Sequence, residues 1–255
     1  MDLVERLRAA GCVFAEDEAA LLSSHEPDAA AREALVARRV AGEPLETVLG
    51  WVAFAGLRLE VLPGVFVPRV RTELVARLAA DALPQGGALV DLCCGVGAIA
   101  AAVARARPDA TVIAADIDPL AVAVATRNLA PFGVTALVSD MDSAVEGPVD
   151  VVTACPPYVP SGEIAFMPAE ARDHEPRSTL DGGDDGTDLQ AAVFAAAARL
   201  LRPGGVAIVE TSENQAKRTA ERAVEAGLNP SVGRDEGLGA TVVVAVSPHP
   251  ATVTT

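Results

Sequence analysis

The fold is decided by the sequence "ALVDLCCGVGAIA" at residues 88–100. An apolar strand pattern contains an acid near its end, Asp91, and a turn with Gly95 and Gly97 leads directly into an alanine-rich helix pattern. Glycine lets a backbone approach a ligand closely, and the first amides of a helix are free to bind polar ligand groups. Many such turns carry glycines for packing alone, so the motif needs support from the rest of the chain.

Beyond about residue 72, strand-like and helix-like patterns alternate, which is typical of a mainly parallel sheet covered by helices. The 51% apolar share with only 3% aromatics also favours an α/β fold. We predict strands at 88–93, 111–116, 134–139, 149–154 and 205–211, and helices near 72–83, 98–106, 119–130, 187–200 and 214–226. The tail "GATVVVAV" (239–246) is expected to return as an antiparallel strand.

Two different patterns precede this alternation. Residues 2–41 carry helical patterns that end at glycines or turn clusters, whereas residues 44–68 carry short apolar runs around Gly56 and Pro63. We therefore predict a helical N-terminal cap at 1–43, a hairpin-like connector at 44–71 and an α/β domain at 72–255.

Composition excludes several classes of protein. The net charge of −15 argues against a broad basic surface for nucleic acid or an anionic membrane. No apolar run has the length of a membrane span, and the acidic start does not resemble a signal peptide. The four cysteines form no CxxC pair, which predicts reduced thiols and no metal site. We expect a cytoplasmic protein that binds neither nucleic acid nor membrane.

Acids at later strand ends point to a nucleoside ligand. Asp116 follows the glycines by about 20 residues, the separation at which a carboxylate meets ribose hydroxyls. Asp140 and Met141 end the third strand, where they can contact an adenine ring. The turn "CCGVG" lacks one of the three glycines that a pyrophosphate needs. This loss favours S-adenosylmethionine, which has no phosphate, over a dinucleotide.

The order of these motifs resembles the class I S-adenosylmethionine-dependent protein-(glutamine-N5) methyltransferases, which modify translation termination factors. The resemblance runs from about Pro44 to Glu213 and rests on "FVPRVRTELV", "VDLCCGVGAIA", "AADIDPLAV", "VSDMD", "CPPYVP", "ARDHEPRSTLDGGDDGTDL" and "LLRPGGVAIVETSENQ". It implies a seven-stranded Rossmann-like sheet and an N-terminal helical domain that helps to hold a protein substrate, such as a peptide-chain release factor.

The resemblance also implies roles for individual residues. The donor-binding set would be Asp91, Cys93, Gly95, Gly97, Asp116, Ile117, Asp140, Met141 and Cys155. The substrate-binding set would be Arg69, Glu73, Tyr158, His174 and Glu175. The chain departs from the family at Val70 and Arg71, where Pro and Glu are usual, and near Ser212, where the family has Glu-x-Gly.

The catalytic motif of the family is Asn-Pro-Pro-Tyr, and its counterpart in this chain is Cys155, Pro156, Pro157 and Tyr158. An amide nitrogen is a poor nucleophile, so the asparagine oxygen and the first proline carbonyl must hold its N–H groups in line with the donor methyl. A thiol is only a weak acceptor. Losing one oriented contact of this kind costs about 3–4 kcal/mol of transition-state stabilisation.

The substitution at Cys155 leaves three interpretations open. The chain methylates a protein glutamine with help from other groups; it methylates a better nucleophile, including a small-molecule acceptor; or it binds the donor with little catalysis. His174 would suit an amine acceptor as a base. Because the first and fourth strands are neighbours in such sheets, Cys93, Cys94 and Cys155 are expected to converge, as a redox or metal site or simply as small fillers.

Overall fold

The computed structural model describes residues 1–249, so the end of the predicted 72–255 domain lies outside the described residues. The chain begins with four helices, α1 (Leu3–Ala9), α2 (Ala15–His25), α3 (Ala29–Val40) and α4 (Leu45–Leu49). Asp2 and Asp28 cap the first and third of these helices by accepting from free backbone amides. The helices share an apolar core that includes Leu7, Leu22 and Val36.

The segment after the helices contains a hairpin. Strands β1 (Trp51–Phe54) and β2 (Leu57–Glu60) pair antiparallel across the turn at Ala55 and Gly56. Helix α4, which the sequence analysis did not predict, occupies the start of this connector and packs into the core of the N-terminal helices through Val48 and Leu49.

The large sheet confirms the predicted fold class. Its seven strands are β3 (Ala88–Leu92), β4 (Thr111–Asp116), β5 (Thr135–Val138), β6 (Val149–Ala154), β7 (Leu201–Thr211), β8 (Asn229–Asp235) and β9 (Ala240–Val246). They lie in the order β5-β4-β3-β6-β7-β9-β8. All pairs from β5 to β7 are parallel, and β9 is antiparallel to both of its neighbours. The antiparallel return of the tail is therefore confirmed.

Helices cover both faces of the sheet: α5 (Glu73–Ala82), α6 (Ala98–Ala106) and α7 (Pro119–Leu129) on one face, and α9 (Asp188–Leu200) and α10 (Ala216–Glu225) on the other. A further short helix, α8 (Ala169–His174), belongs to the long loop between β6 and α9. Every residue of β6 is buried, and successive residues Val151 and Val152 enter the two opposite cores. Burial of both faces is expected of a parallel strand that is covered by helices on either side.

One strand was missed. No strand was predicted between residues 226 and 239, but residues 229–235 form β8 at the edge of the sheet. Pro230 and Gly233 weaken the strand pattern, and every residue of β8 is at least partly exposed. A strand that pairs on one side only tolerates such residues, so its sequence resembles a loop.

Among residues 1–249, no helix combines the length and the apolar character that crossing a bilayer requires.

Candidate active site

A cavity lies at the carboxyl ends of β3, β4 and β6. Leu92 of β3 pairs with Ala115 of β4 on one side and with Ala154 of β6 on the other, so the loops that follow these strands begin side by side. Ligands of open α/β sheets bind at this edge. The predicted site residues that line the cavity are Cys93, Gly95, Asp116, Ile117, Asp140, Met141, Cys155 and Pro157.

The turn after β3 keeps a glycine-like geometry although one glycine is missing. Cys93 has a φ of 52°, in the left-handed region that favours glycine, and Gly95 has a φ of 54°. A Cβ placed on Gly95 would meet nothing within 4 Å, so this backbone faces open space. A Cβ on Gly97 would lie 3.0 Å from Leu129. Gly97 therefore permits close helix packing, and it does not line the cavity.

Asp91 lies beneath this turn and is fully buried. Its carboxylate accepts from the Thr153 hydroxyl (2.8 Å) and from the Ala100 amide (3.3 Å). Burial raises the pKa of Asp91 to about 7, and the hydrogen bonds only partly oppose this rise. The structure does not bring Asp91 to the cavity wall, where the resemblance placed it, because the acid fastens the start of α6 to β6.

Asp116 connects the end of β4 to the glycine turn. Its carboxylate accepts from the amides of Gly95 (2.8 Å) and Asp118 (2.9 Å), and it lines the cavity. Burial raises the pKa of Asp116. Asp118 caps α7 through the amide of Leu120 (2.8 Å), as is typical of an acid that precedes a proline at a helix start.

Apolar side chains also line the cavity. Ile117 lines it although 67% of this residue is exposed. Met141 also lines the cavity, in a tight bend with a φ of 47°, and the Ser139 hydroxyl donates to the Met141 carbonyl (2.7 Å). Apolar side chains together with the acid Asp140 on one cavity suit a flat ring with a polar edge.

The charges around the cavity distinguish between a ligand with a pyrophosphate and S-adenosylmethionine. Among its lining residues in the described chain, Asp116, Asp118 and Asp140 are acidic and none is lysine or arginine. A pyrophosphate would meet repulsion and find no cationic partner. S-adenosylmethionine carries a sulfonium and an ammonium group and no phosphate, so these residues fit it, with Gly95 leaving open space beside its backbone.

The segment 155–158 follows β6 directly. Cys155 and Pro157 line the cavity, whereas Pro156 is buried. The Cys155 Sγ lies 4.0 Å from the Thr72 hydroxyl, which belongs to the segment 68–73. Burial raises the pKa of Cys155 well above its usual range, so the thiol remains neutral at physiological pH.

Tyr158 is fixed by residues that the sequence analysis did not assign to the site. Its hydroxyl accepts from Arg71 (Nη2, 2.8 Å) and donates to Glu210 (3.0 Å). Its carbonyl accepts from Gln215 Nε2 (2.8 Å). Arg71 was noted only as a departure from the family. A glutamate near the end of a buried strand is the signal that would have identified Glu210.

The predicted substrate residues fall into two groups. Arg69 forms a 2.6 Å ion pair with the buried Glu175, which joins the segment 68–73 to the long loop. Glu73 instead accepts from the Ala55 amide (2.7 Å) in the hairpin turn. His174 lies with Nε2 only 3.4 Å from a Cβ placed on Gly42, in the turn between α3 and α4. None of the five predicted substrate residues lines the cavity itself: Arg69, Glu73, Tyr158, His174 and Glu175.

The cavity contacts of the long loop come from Ser178 and Thr179, which the sequence analysis missed. Cys93, Cys94 and Cys155 line the same cavity, as the strand order predicted. Over residues 1–249, however, no group of three potential ligands from His, Cys, Asp and Glu is placed to hold a metal ion.

The strand order is that of a class I methyltransferase, and the cavity suits a nucleoside ligand without phosphate groups. The methyl donor of this class is S-adenosylmethionine. A family described as "Methyltransferase small domain" matches residues 56–171. The release factor glutamine methyltransferase of Mycolicibacterium smegmatis is 40% identical over 84% of this chain and 84% of its own length. The chain belongs to the release factor glutamine methyltransferase family.

Two further comparisons agree. The release factor glutamine methyltransferase of Streptomyces coelicolor is 42% identical over 71% of this chain and 67% of its own length. The crystal structure of a methyltransferase from Pyrococcus furiosus has a TM-score of 0.58 and is 18% identical, covering 86% of this chain and 98% of that one. At that identity the structural match shows the fold alone.

Proposed function

We propose that the protein transfers a methyl group from S-adenosylmethionine to the side-chain amide nitrogen of a glutamine in a peptide-chain release factor. The observation that carries this proposal is the position of residues 155–158. Residues 155–158 follow β6 at the same sheet edge as Gly95 and Asp116, which are proposed to bind the methyl donor. Cys155 and Pro157 line the same cavity as these two residues. Family membership supports the choice of acceptor.

The donor, when bound, supplies an electrophilic methyl on its sulfonium. Asp116 is proposed to hold the ribose, and Asp140 the adenine edge, because both acids lie on the cavity wall. Pro68, from the segment 68–73, and Thr179, from the long loop, also line the cavity. These two segments are proposed to form the acceptor side of the cavity.

The acceptor amide needs oriented oxygen partners, and the backbone is the source that this chain retains. The Tyr158 carbonyl is occupied by Gln215. We assign the orienting role to the Pro156 carbonyl, one residue beyond the neutral thiol of Cys155. An amine acceptor would favour a nearby base, but His174, the candidate base, packs against the N-terminal helices. The placement of His174 therefore supports an amide over an amine.

Intact-mass spectrometry tests the proposal. A release factor is incubated with the protein and S-adenosylmethionine, and we expect a gain of one methyl group, which tandem mass spectrometry places on the glutamine of the Gly-Gly-Gln loop. A release factor with that glutamine replaced by alanine is the matched control and should gain nothing. Donor binding without methylation of the intact loop contradicts the proposal.

A further inference from the structure

Arg71, Tyr158 and Glu210 form a closed triangle of hydrogen bonds beside the cavity. The Tyr158 hydroxyl lies 2.8 Å from Arg71 Nη2 and 3.0 Å from Glu210 Oε1, and Arg71 Nε lies 3.0 Å from the same Oε1. A phenol has one hydrogen to donate, and in this structure it is donated to Glu210. A substrate near Tyr158 would therefore meet the ring, because the hydroxyl is already engaged.

The triangle joins three chain segments near the proposed acceptor position. In the parallel pair β6 and β7, Ala154 is opposite Val209, so Cys155 and Glu210 are the next residues along the two strands. Arg71 comes from the segment 68–73, in which Pro68 and Thr72 line the cavity. The triangle thus connects the end of β7, the residues after β6 and the segment 68–73, which contributes to the cavity wall.

Glu210 depends strongly on this contact. It is 1% exposed, and within the described residues its Oε2 has no hydrogen-bond partner. A buried carboxylate without a cationic partner is highly unfavourable. The Arg71 guanidinium, whose side chain is 42% exposed, is the cation paired with Glu210. Arginine at position 71, where the resembling family usually has glutamate, is therefore matched to the acid at 210.

The backbone of Tyr158 is held independently of its phenol. Gln215 Nε2 donates to the Tyr158 carbonyl, and a Cβ on Gly182 would come within 2.7 Å of the Tyr158 Cα. The triangle therefore fixes the ring without being needed for the course of the chain. Freeing the phenol should change the direction of the ring and leave the residues around Cys155 in place.

We propose that Arg71 and Glu210 are positioning residues for methyl transfer, because they clamp the phenol of Tyr158 and so hold its ring as a fixed wall against the acceptor amide. This inference rests on the proposed function for its catalytic consequence. The clamp itself is a structural property that can be observed without any acceptor.

The test uses Arg71→Gln, Tyr158→Phe and the double variant, with Arg71→Lys as the conservative replacement. We expect Arg71→Gln to lower kcat for glutamine methylation by roughly 10- to 100-fold. A misoriented Tyr158 ring would no longer hold the acceptor amide in line with the donor methyl. The dissociation constant of the donor should stay within about twofold of the wild-type value, because none of the three residues of the triangle lines the cavity. Arg71→Lys should recover part of the loss.

Non-additivity distinguishes a clamp from two unrelated defects. Because Arg71 acts through the phenol, the double variant should be no slower than the slower single variant. Arg77→Gln is the matched control, since it breaks an exposed 2.6 Å ion pair with Asp235, and it should behave as wild type. Losses that multiply in the double variant, or an unchanged kcat in Arg71→Gln, overturn the inference.

A second measurement needs no acceptor. Tyr158 is the only tyrosine of the chain, so labelling with tyrosine enriched in ¹³C at Cζ gives a single NMR resonance from this ring. Arg71→Gln should shift this resonance, and Arg77→Gln should not; an unmoved resonance in folded Arg71→Gln protein overturns the clamp. If wild-type protein methylates no release factor, the proposed function fails, and the resonance still decides whether the clamp exists.

Discussion

The donor side and the acceptor side of the cavity are built in different ways. On the donor side, Asp116 bonds the amides of Gly95 and Asp118, which are 21 and 2 residues away along the chain. On the acceptor side, Arg71 reaches Glu210 across 139 residues and Arg69 reaches its partner across 106. The donor side is therefore assembled mainly by two consecutive strand-to-helix turns, whereas the acceptor side requires distant segments to meet.

Buried acids also have different partners on the two sides of the cavity. Asp91, beneath the donor turn, has only a hydroxyl and an amide as partners, and its pKa rises to about 7. Glu175 and Glu210, on the acceptor side, are each paired with an arginine. The acids that do line the cavity, Asp116, Asp118 and Asp140, favour a donor with positive groups.

The largest expected effect tests the donor side. Asp116→Ala removes the carboxylate proposed to accept from the ribose hydroxyls and leaves two turn amides without their partner. Since hydrogen bonds to a charged group contribute about 1.5–3 kcal/mol each, the donor dissociation constant should rise roughly 100- to 10,000-fold. Isothermal titration calorimetry with S-adenosylmethionine measures it.

Asp109→Ala is the control for this experiment. Asp109 precedes β4, at the opposite end of the strand, and accepts from the Gly86 amide (2.8 Å). Donor affinity should be unchanged in this variant. Wild-type affinity in Asp116→Ala would show that the donor side is not organised by this acid.

The next largest effect tests the acceptor side. Cys155→Asn restores an amide oxygen at the proposed acceptor position, and kcat for glutamine methylation should rise about 100- to 1,000-fold, the usual value of one oriented contact at a reacting centre. Cys155→Ala should remain near the wild-type rate, since a thiol is a weak acceptor. Steady-state kinetics with a release factor measures both. Equal rates for the asparagine and alanine variants would contradict the prediction.

Asp91, the buried acid beneath the glycine turn, should make the free energy of unfolding depend on pH. The pKa of Asp91 rises from 3.8 to about 7 on folding, so between these values the folded protein binds more protons than the unfolded chain. The free energy of unfolding should therefore fall as pH rises through this window, by on the order of 2–4 kcal/mol. Urea denaturation of wild type and Asp91→Asn at several pH values isolates this contribution.

The control again uses Asp109. Its hydrogen bonds with Arg107 and Gly86 lower its pKa to about 2, so its contribution to stability is lost only as pH falls below the ordinary aspartate range. The profile of Asp109→Asn should therefore retain the wild-type decline between pH 4 and 7. A profile that is identical for wild type and Asp91→Asn would show that the buried acid is compensated after all.

The smallest effect concerns the link between the N-terminal helices and the long loop. Arg39 pairs with Glu18 (2.6 Å) and also with Glu170 of α8 (3.1 Å), whose side chain is 38% exposed. Glu170→Gln should lower the free energy of unfolding by about 0.5 kcal/mol, as for a partly exposed pair. Glu18→Gln, which removes the buried partner, should cost more. Equal losses in thermal or urea unfolding would contradict this ranking.

Local patterns predict the sheet and the donor side well. The alternation of apolar strands and helices predicts β3 to β7, and the spacing from Gly95 to Asp116 places both at one cavity because consecutive parallel strands end at the same edge. Spacing does not show whether a residue faces the ligand or supports the turn. For this reason Asp91 and Gly97 were expected at the cavity wall and lie beneath or behind it.

The acceptor side is less predictable for a physical reason. Glu210 and Gln215 act through contacts with segments far away in sequence, and nothing in their local patterns names these partners. His174 was expected near the acceptor, but its short helix turns it toward the N-terminal helices. The roles given to the substrate residues remain predictions.

The edge strand β8 has a consequence for behaviour at high concentration. An unpaired strand edge is a template for pairing with another chain, and proteins block such edges with proline, glycine and charges. β8 carries Pro230, Gly233, Arg234 and Asp235. The same residues that made this strand resemble a loop in the sequence discourage intermolecular strand addition, so the protein should resist aggregation through this edge when it is strongly overexpressed.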